Sequence, residues 1–175
     1  MKRSRTTPLL AAACLGAASA APAQRPAASA VPAADRQFMV KAAQGGLGEV
    51  TLGKLAQTHG GGSGAKGFGQ RMVRDHTQAN ARLKRVAGRE GVRLSSAPGP
   101  EEQAARARLA RLSGPAFDRA YLADMVEDHE KDVAEFQKEA ATGKDPAARA
   151  FAAQTLPTLR MHLQMARSLS GARTK

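Results

Sequence analysis

The same five-residue pattern occurs twice in the chain, as Met72-Val73-Arg74-Asp75-His76 and as Met125-Val126-Glu127-Asp128-His129. The constant offset between the copies also aligns Phe68 with Tyr121 and Leu83 with Phe136. Each copy sets an imidazole among Met, Val, Leu and aromatic residues, directly after an aspartate. Imidazole titrates near neutrality, and its neutral form is a common ligand for transition metals. Glu49 and His162 belong with this pair, because each stands alone in an otherwise apolar helical stripe. Burying one such group without a partner is expensive, and four in one small domain are not expected to stay apart. Glu49, His76, His129 and His162 are therefore expected to meet. Asp75 and Asp128 point about 100° away from the histidines they precede. They are candidates to accept a hydrogen bond that fixes an imidazole tautomer on a neighbouring helix, or to flank the site directly.

Two readings of this set stand side by side. In one, three imidazoles and a carboxylate hold a transition metal such as Zn, Cu or Fe. In the other, Glu49 pairs with partly protonated histidines in a layer that only specifies packing. With ordinary histidine pKa values, metal binding is expected to weaken between pH 7 and pH 5. A di-iron centre is disfavoured. Such sites use Glu-x-x-His, and the residues three before His76, His129 and His162 are Val73, Val126 and Leu159. No Ser or Cys nucleophile pairs with a histidine at a recognisable spacing. Gly60 to Gly64 has no following Lys-Ser/Thr and reads as a turn. An enzyme is not the expectation.

Long helices must position these residues. Aromatics are 3% of the chain and Trp is absent, so the core is mainly Ala, Leu, Val and Met, which suits close-packed helices. A first helix is expected from an N-cap at Asp35 to about Thr58, with Phe38, Ala42, Gly45, Glu49, Leu52 and Ala56 on one face. It also carries Gly46, Gly48 and Gly53, which points to close approach of a neighbour or to a kink. A second runs from about Ala65 to Glu90 with Phe68, Met72, His76 and Leu83 inward. A short helix covers about Glu101 to Leu112. A third long helix runs from about Ala116 to Ala141 with Leu122, Met125, His129, Phe136 and either Val133 or Asp132 inward. A fourth begins at the Asp145-Pro146 cap and runs to Leu169 with Leu159 and His162 inward. Pro157 is expected to kink it. The connection between the second and third long helices can span the bundle. The expectation is an all-α, ferritin-like four-helix bundle, up-down-down-up, with its four polar residues near mid-height.

Residues 1–23 have the three parts of a secretory signal: Lys2, Arg3 and Arg5, an apolar core from Leu9 to Ala18, and small residues around Ala20 and Ala23. Cleavage there implies a periplasmic or secreted protein. Cys14, the only cysteine, lacks the full context of a lipoprotein box, so lipidation is not expected. Residues 24–34 read as a disordered linker, and residues 35–171 as the bundle. The formal charge is +12, or +9 without the three leader cations. The basic residues alternate with acids along helix faces, and no aromatic platform is available. Nucleic acid is therefore not an expected partner, while weak association with anionic surfaces is. No segment of the mature chain can span a membrane.

The assembled stretches resemble the DUF4142 family of secreted, ferritin-like bacterial proteins. They are Gly46-Leu47-Gly48-Glu49-Val50 with Leu52-Gly53-Lys54-Leu55-Ala56, then Met72 to His76. They continue through Phe117-Asp118-Arg119-Ala120-Tyr121-Leu122, Met125-Val126 with Asp128-His129, and Leu156-Pro157 with His162-Leu163. The resemblance covers about residues 35–170 and implies an exported helical bundle. It implies no particular activity.

Overall fold

Glycine and proline punctuate this chain into helices, and the computed structural model, which describes residues 30–171, places the breaks there. Five helices follow in order: α1 (Ala33–His59), α2 (Ser63–Arg89), α3 (Pro100–Leu109), α4 (Gly114–Thr142) and α5 (Pro146–Ser170). The leader expected over residues 1–23, with Cys14, and linker residues 24–29 lie outside the described residues. Among the described residues the only extended pairing is an isolated bridge between Gly60 and Gly114. No described helix is long and apolar enough to cross a membrane.

Two helical hairpins make the bundle, α1 against α2 and α4 against α5. The Gly60–Gly114 bridge sets the start of α4 beside the α1–α2 turn. Asp118, in the first turns of α4, accepts hydrogen bonds from the Gly61 and Gly62 amides at 3.0 and 2.7 Å. At the other end, Asp35 accepts from the amides of Lys144 and Asp145 in the α4–α5 turn. Starts therefore meet turns at both ends, and the topology is up-down-down-up. The connection carrying α3 runs the length of the bundle and lays α3 against α1.

Several local expectations shift. Helix α1 begins at Ala33, and Pro32 precedes it with no side-chain cap. Asp35, read as the N-cap of this helix, lies inside its first turn and caps the other hairpin's turn instead. A buried carboxylate gains more from two otherwise unpaired amides than from one at its own helix end. Asp145 does cap α5, accepting from the Ala148 amide at 2.7 Å. Pro157 sits on an exposed face inside an uninterrupted α5. Leu169, read as inward, is 40% exposed.

The glycines of α1 mark close approaches. A Cβ on Gly53 would stand 2.7 Å from the Gly69 carbonyl oxygen, and one on Gly69 would stand 2.6 Å from that of Gly53. The two backbones touch there, so α1 and α2 cross with no side chain between them. Gly69→Ala is expected to lower stability by about 1–3 kcal/mol in urea denaturation, as overpacking does. Gly67→Ala, whose Cβ would meet nothing within 4 Å, is expected to raise it by roughly 0.5–1 kcal/mol.

The core divides into two apolar clusters. One holds Phe38, Met39, Leu83, Phe136, Phe151 and Leu159. The other holds Leu52, Phe68, Met72, Phe117, Tyr121 and Met125. On each long helix the segment between its two contributions carries one buried polar residue: Glu49, His76, His129 or His162.

Candidate metal centre

The layer between the two clusters is buried and polar, and three imidazoles fill its centre. His76 comes from α2, His129 from α4 and His162 from α5. Ring centroids are 5.8 Å apart for His76–His129, 5.3 Å for His76–His162 and 5.4 Å for His129–His162. One ring nitrogen from each lies within 4.8 Å of the others. His129 and His162 are fully buried, and His76 is 6% exposed.

Hydrogen bonding fixes two of the tautomers. His129 Nδ1 lies 3.0 Å from the Met125 carbonyl oxygen. A carbonyl only accepts, so Nδ1 carries the hydrogen and Nε2 keeps its lone pair. His162 Nε2 lies 3.0 Å from Asp75 Oδ2, so there Nε2 donates and Nδ1 keeps the lone pair. His129 Nε2, His162 Nδ1 and His76 Nε2 are all buried without a hydrogen-bond partner. Burial holds each imidazole toward its neutral form. It pushes His76 well below the ordinary range, with the neighbouring histidines adding to the effect. His129 is pushed down to about 3. Burial also lowers His162, against the pull of the Asp75 carboxylate.

Asp75 thus takes the tautomer-fixing place on a neighbouring helix. Glu49 stands apart from the three imidazoles. Its Oε1 is 3.8 Å from His129 Nδ1, the nitrogen already donated to Met125, and its Oε2 has no partner. The four residues share a height, but Glu49 lies behind the His129 ring. Burial first, then Asp132 and Asp128, raises its carboxyl well above the usual range. Asp128 is half-buried and touches neither His76 nor His162 by any hydrogen bond; it lines a cavity with Glu49, Glu102 and Asp132.

Sequence reasoning missed Glu102 at this site, and it offered Asp132 only as an alternative to Val133 on the inward face of its helix. Asp128 and Asp132 are spaced one helical turn apart, which was a usable signal. Nothing local could bring Glu102 to them. Burial and Asp128 push Asp132 up to about 7. A folded-state pKa raised above the ordinary carboxylate value contributes stability that is full below pH ~4 and is lost as pH rises through about 7. Asp132→Asn removes that loss. It is expected to raise the melting temperature more at pH 8 than at pH 5, in chelator-treated protein followed by circular dichroism.

A second cavity, of about 140 Å³, leads between α2 and α5 to His76 and His162. Asp75, Arg82, Thr155 and Thr158 line it. The triad is therefore enclosed by the two apolar clusters along the bundle and reachable from one side.

Comparison with known proteins adds a family and a fold. A family model described as "Domain of unknown function (DUF4142)" matches residues 18–169. No curated protein matches the chain. A crystal structure of a DUF305 fragment from Deinococcus radiodurans superposes with a TM-score of 0.71 at 16% identity, covering 82% of this chain and 99% of that one. At that identity the likeness shows a shared helical fold alone.

Proposed function

This chain belongs to the DUF4142 family, and from that premise we propose that it is an exported, non-enzymatic bundle protein that binds one transition-metal ion between His76, His129 and His162. One observation carries the proposal. Three buried imidazoles each carry a ring nitrogen without a hydrogen-bond partner, and the rings are close enough that one nitrogen of each lies within 4.8 Å of the others. Buried polar groups are otherwise almost always paired, so three such orphans around one point are best accounted for by an ion. The supporting hydrogen bonds fit that role. The Met125 carbonyl and Asp75 each hold the far nitrogen of a ring, which orients the near lone pair, as outer partners of metal-bound histidines do.

Three neutral imidazoles with no thiolate suit Zn or Cu, with Fe a further candidate. Three protein ligands leave a coordination position for water or a small donor arriving through the cavity lined by Asp75 and Arg82. A site that is reachable and not fully coordinated by protein suits reversible loading, hence storage, buffering or sensing of the metal. Removal of the leader over residues 1–23 would place this activity outside the inner membrane, and the N-terminal residue of the mature protein, read by mass spectrometry, tests that.

Equilibrium dialysis of chelator-treated protein with elemental analysis tests the site. One zinc or copper per chain is expected, and His129→Ala with His162→Ala is expected to reduce it to none at the same free metal. The competing account is a packing layer built on the Asp75–His162 hydrogen bond. It expects no stoichiometric metal in the wild type, and that result would refute the proposal.

A further inference from the structure

Behind His129, on the side away from its free nitrogen, a separate cavity of about 340 Å³ opens among α1, α3 and α4. We infer that it is a second cation site, built only from oxygen donors, in which Glu49, Glu102, Asp128 and Asp132 hold a hard divalent ion. This inference is independent of the histidine site.

Glu49 is the anchor. The residue is 4% exposed, lines the cavity, and its Oε2 is buried without a partner. A buried, unpaired carboxylate oxygen calls for a cation or a donor. Asp128 and Asp132 reach the same cavity from one face of α4, and Glu102 reaches it from the first turn of α3.

The charge balance is local and unusual for this chain. Its formal charge is +12, yet no Lys or Arg pairs with Glu49, Glu102, Asp128 or Asp132 among the described residues. Lys41 and Lys131 also line the cavity, but the ion pairs they and Arg108 make are with other carboxylates. Lys131 pairs with Glu127 at 2.7 Å, Arg108 with Asp124 at 2.7 Å and Lys41 with Glu135 at 3.7 Å. Six carboxylates (Glu49, Glu101, Glu102, Asp128, Asp132 and Glu135) therefore face two lysines (Lys41 and Lys131) on the cavity wall, and negative charge is in excess there.

The backbone is also shaped for Glu102. A Cβ on Gly48 would stand 2.3 Å from Glu102 Cγ, and one on Gly99 would stand 2.4 Å from Glu102 Oε2. Glycine in mid-helix is unfavourable in itself. At Gly48 it lets a charged side chain lie along α1 toward Glu49.

Donor type selects the ion. Carboxylates without imidazole or thiolate suit Mg, Ca or Mn, and the volume admits an ion that keeps several waters. The two sites would then sort metals by chemistry, borderline ions to the imidazoles and hard ions to the carboxylates. The His129 ring separates them, its Nδ1 being held by Met125 on the Glu49 side.

Manganese is the probe. The full mature chain, carrying one equivalent of zinc, is titrated with Mn²⁺ and free ion is read by electron paramagnetic resonance. One bound Mn²⁺ per chain is expected. Glu49→Gln and Asp132→Asn are each expected to weaken binding by roughly tenfold or more, because affinity at such sites follows the count of ligand charges. The half-buried Asp132 keeps the test decisive if Glu49→Gln does not fold. The His76→Ala/His162→Ala variant, without zinc, is expected to retain Mn²⁺ affinity within about twofold, since imidazole is no part of an oxygen site. Mn²⁺ binding that is absent, that resists both acidic substitutions, or that disappears in the histidine variant overturns the inference. Zinc stoichiometry, measured separately, reads the histidine site whichever way this result falls.

Discussion

Saturating zinc or copper is expected to raise the melting temperature of chelator-treated protein at pH 7 by roughly 10–20 °C, from ~4 kcal/mol of binding energy at a thousandfold excess over Kd. The ligands of the ion come from α2, α4 and α5, so only the folded bundle assembles them. A ligand that binds the native state alone stabilises it by mass action. His76→Ala with His129→Ala should remove the whole increment. Ordinary histidine chemistry would shrink the increment at pH 5. Burial changes that expectation, since it holds His129 at about 3 and lowers His76 and His162 as well. Burial therefore favours the neutral imidazoles that bind metal, and more of the metal increment should persist at pH 5 than ordinary histidines would allow. The apo protein itself still loses stability in acid. Its depressed histidines contribute stability that is present above the unfolded pKa of about 6.5 and is lost progressively toward the folded value as protons bind the unfolded chain. Acid should thus weaken metal-loaded protein about as much as apo protein, because both unfold to the same proton-binding chain. Differential scanning calorimetry at the two pH values, with and without metal, checks both signs.

Asp35→Ala is expected to cost about 2–4 kcal/mol, from leaving one buried and one part-buried amide unpaired. Asp35 is 2% exposed, and it accepts from the Lys144 amide at 2.8 Å and from that of Asp145. It ties the first turn of one hairpin to the turn of the other. Asp118 makes the equivalent tie at the opposite end, but to amides that are exposed. Water can replace that partner, so Asp118→Ala is expected to cost ~1 kcal/mol or less. Urea unfolding of the two variants side by side measures the difference. Equal losses would mean that burial of the Asp35 tie contributes nothing.

The architecture was legible because it rests on periodicity and length. The stripes through His76, His129 and His162 repeat at helical spacing, and Gly60 to Gly64 and Thr142-Gly143 mark tight turns. The residues between Glu90 and Ser113 are too many for a tight turn and enough to cross the bundle, which set the up-down-down-up order. Equal-length helices put mid-helix residues at one height, so the meeting of the three histidines could be read as well. Angular position could not. Glu49 shares the height, but α1 carries so many glycines that its stripe is weakly defined. A face drawn through Ala42 and Gly45 is rotated from the buried one, which runs through Met39, Ala43 and Gly46. Asp35 was misread for a related reason. Capping preference is a local rule, and the partner that won lies more than a hundred residues away. Glu102 was invisible because its placement depends on how α3 docks, which no local pattern encodes.

The central claim is that three imidazoles hold one metal ion at mid-bundle. Crystals of the zinc-loaded protein, with anomalous scattering recorded at the zinc absorption edge, test it most directly. One peak is predicted between α2, α4 and α5, bonded to His76 Nε2, His129 Nε2 and His162 Nδ1 at about 2.0–2.1 Å. A fully loaded crystal with zinc elsewhere, and the three nitrogens left as they are, would contradict the account.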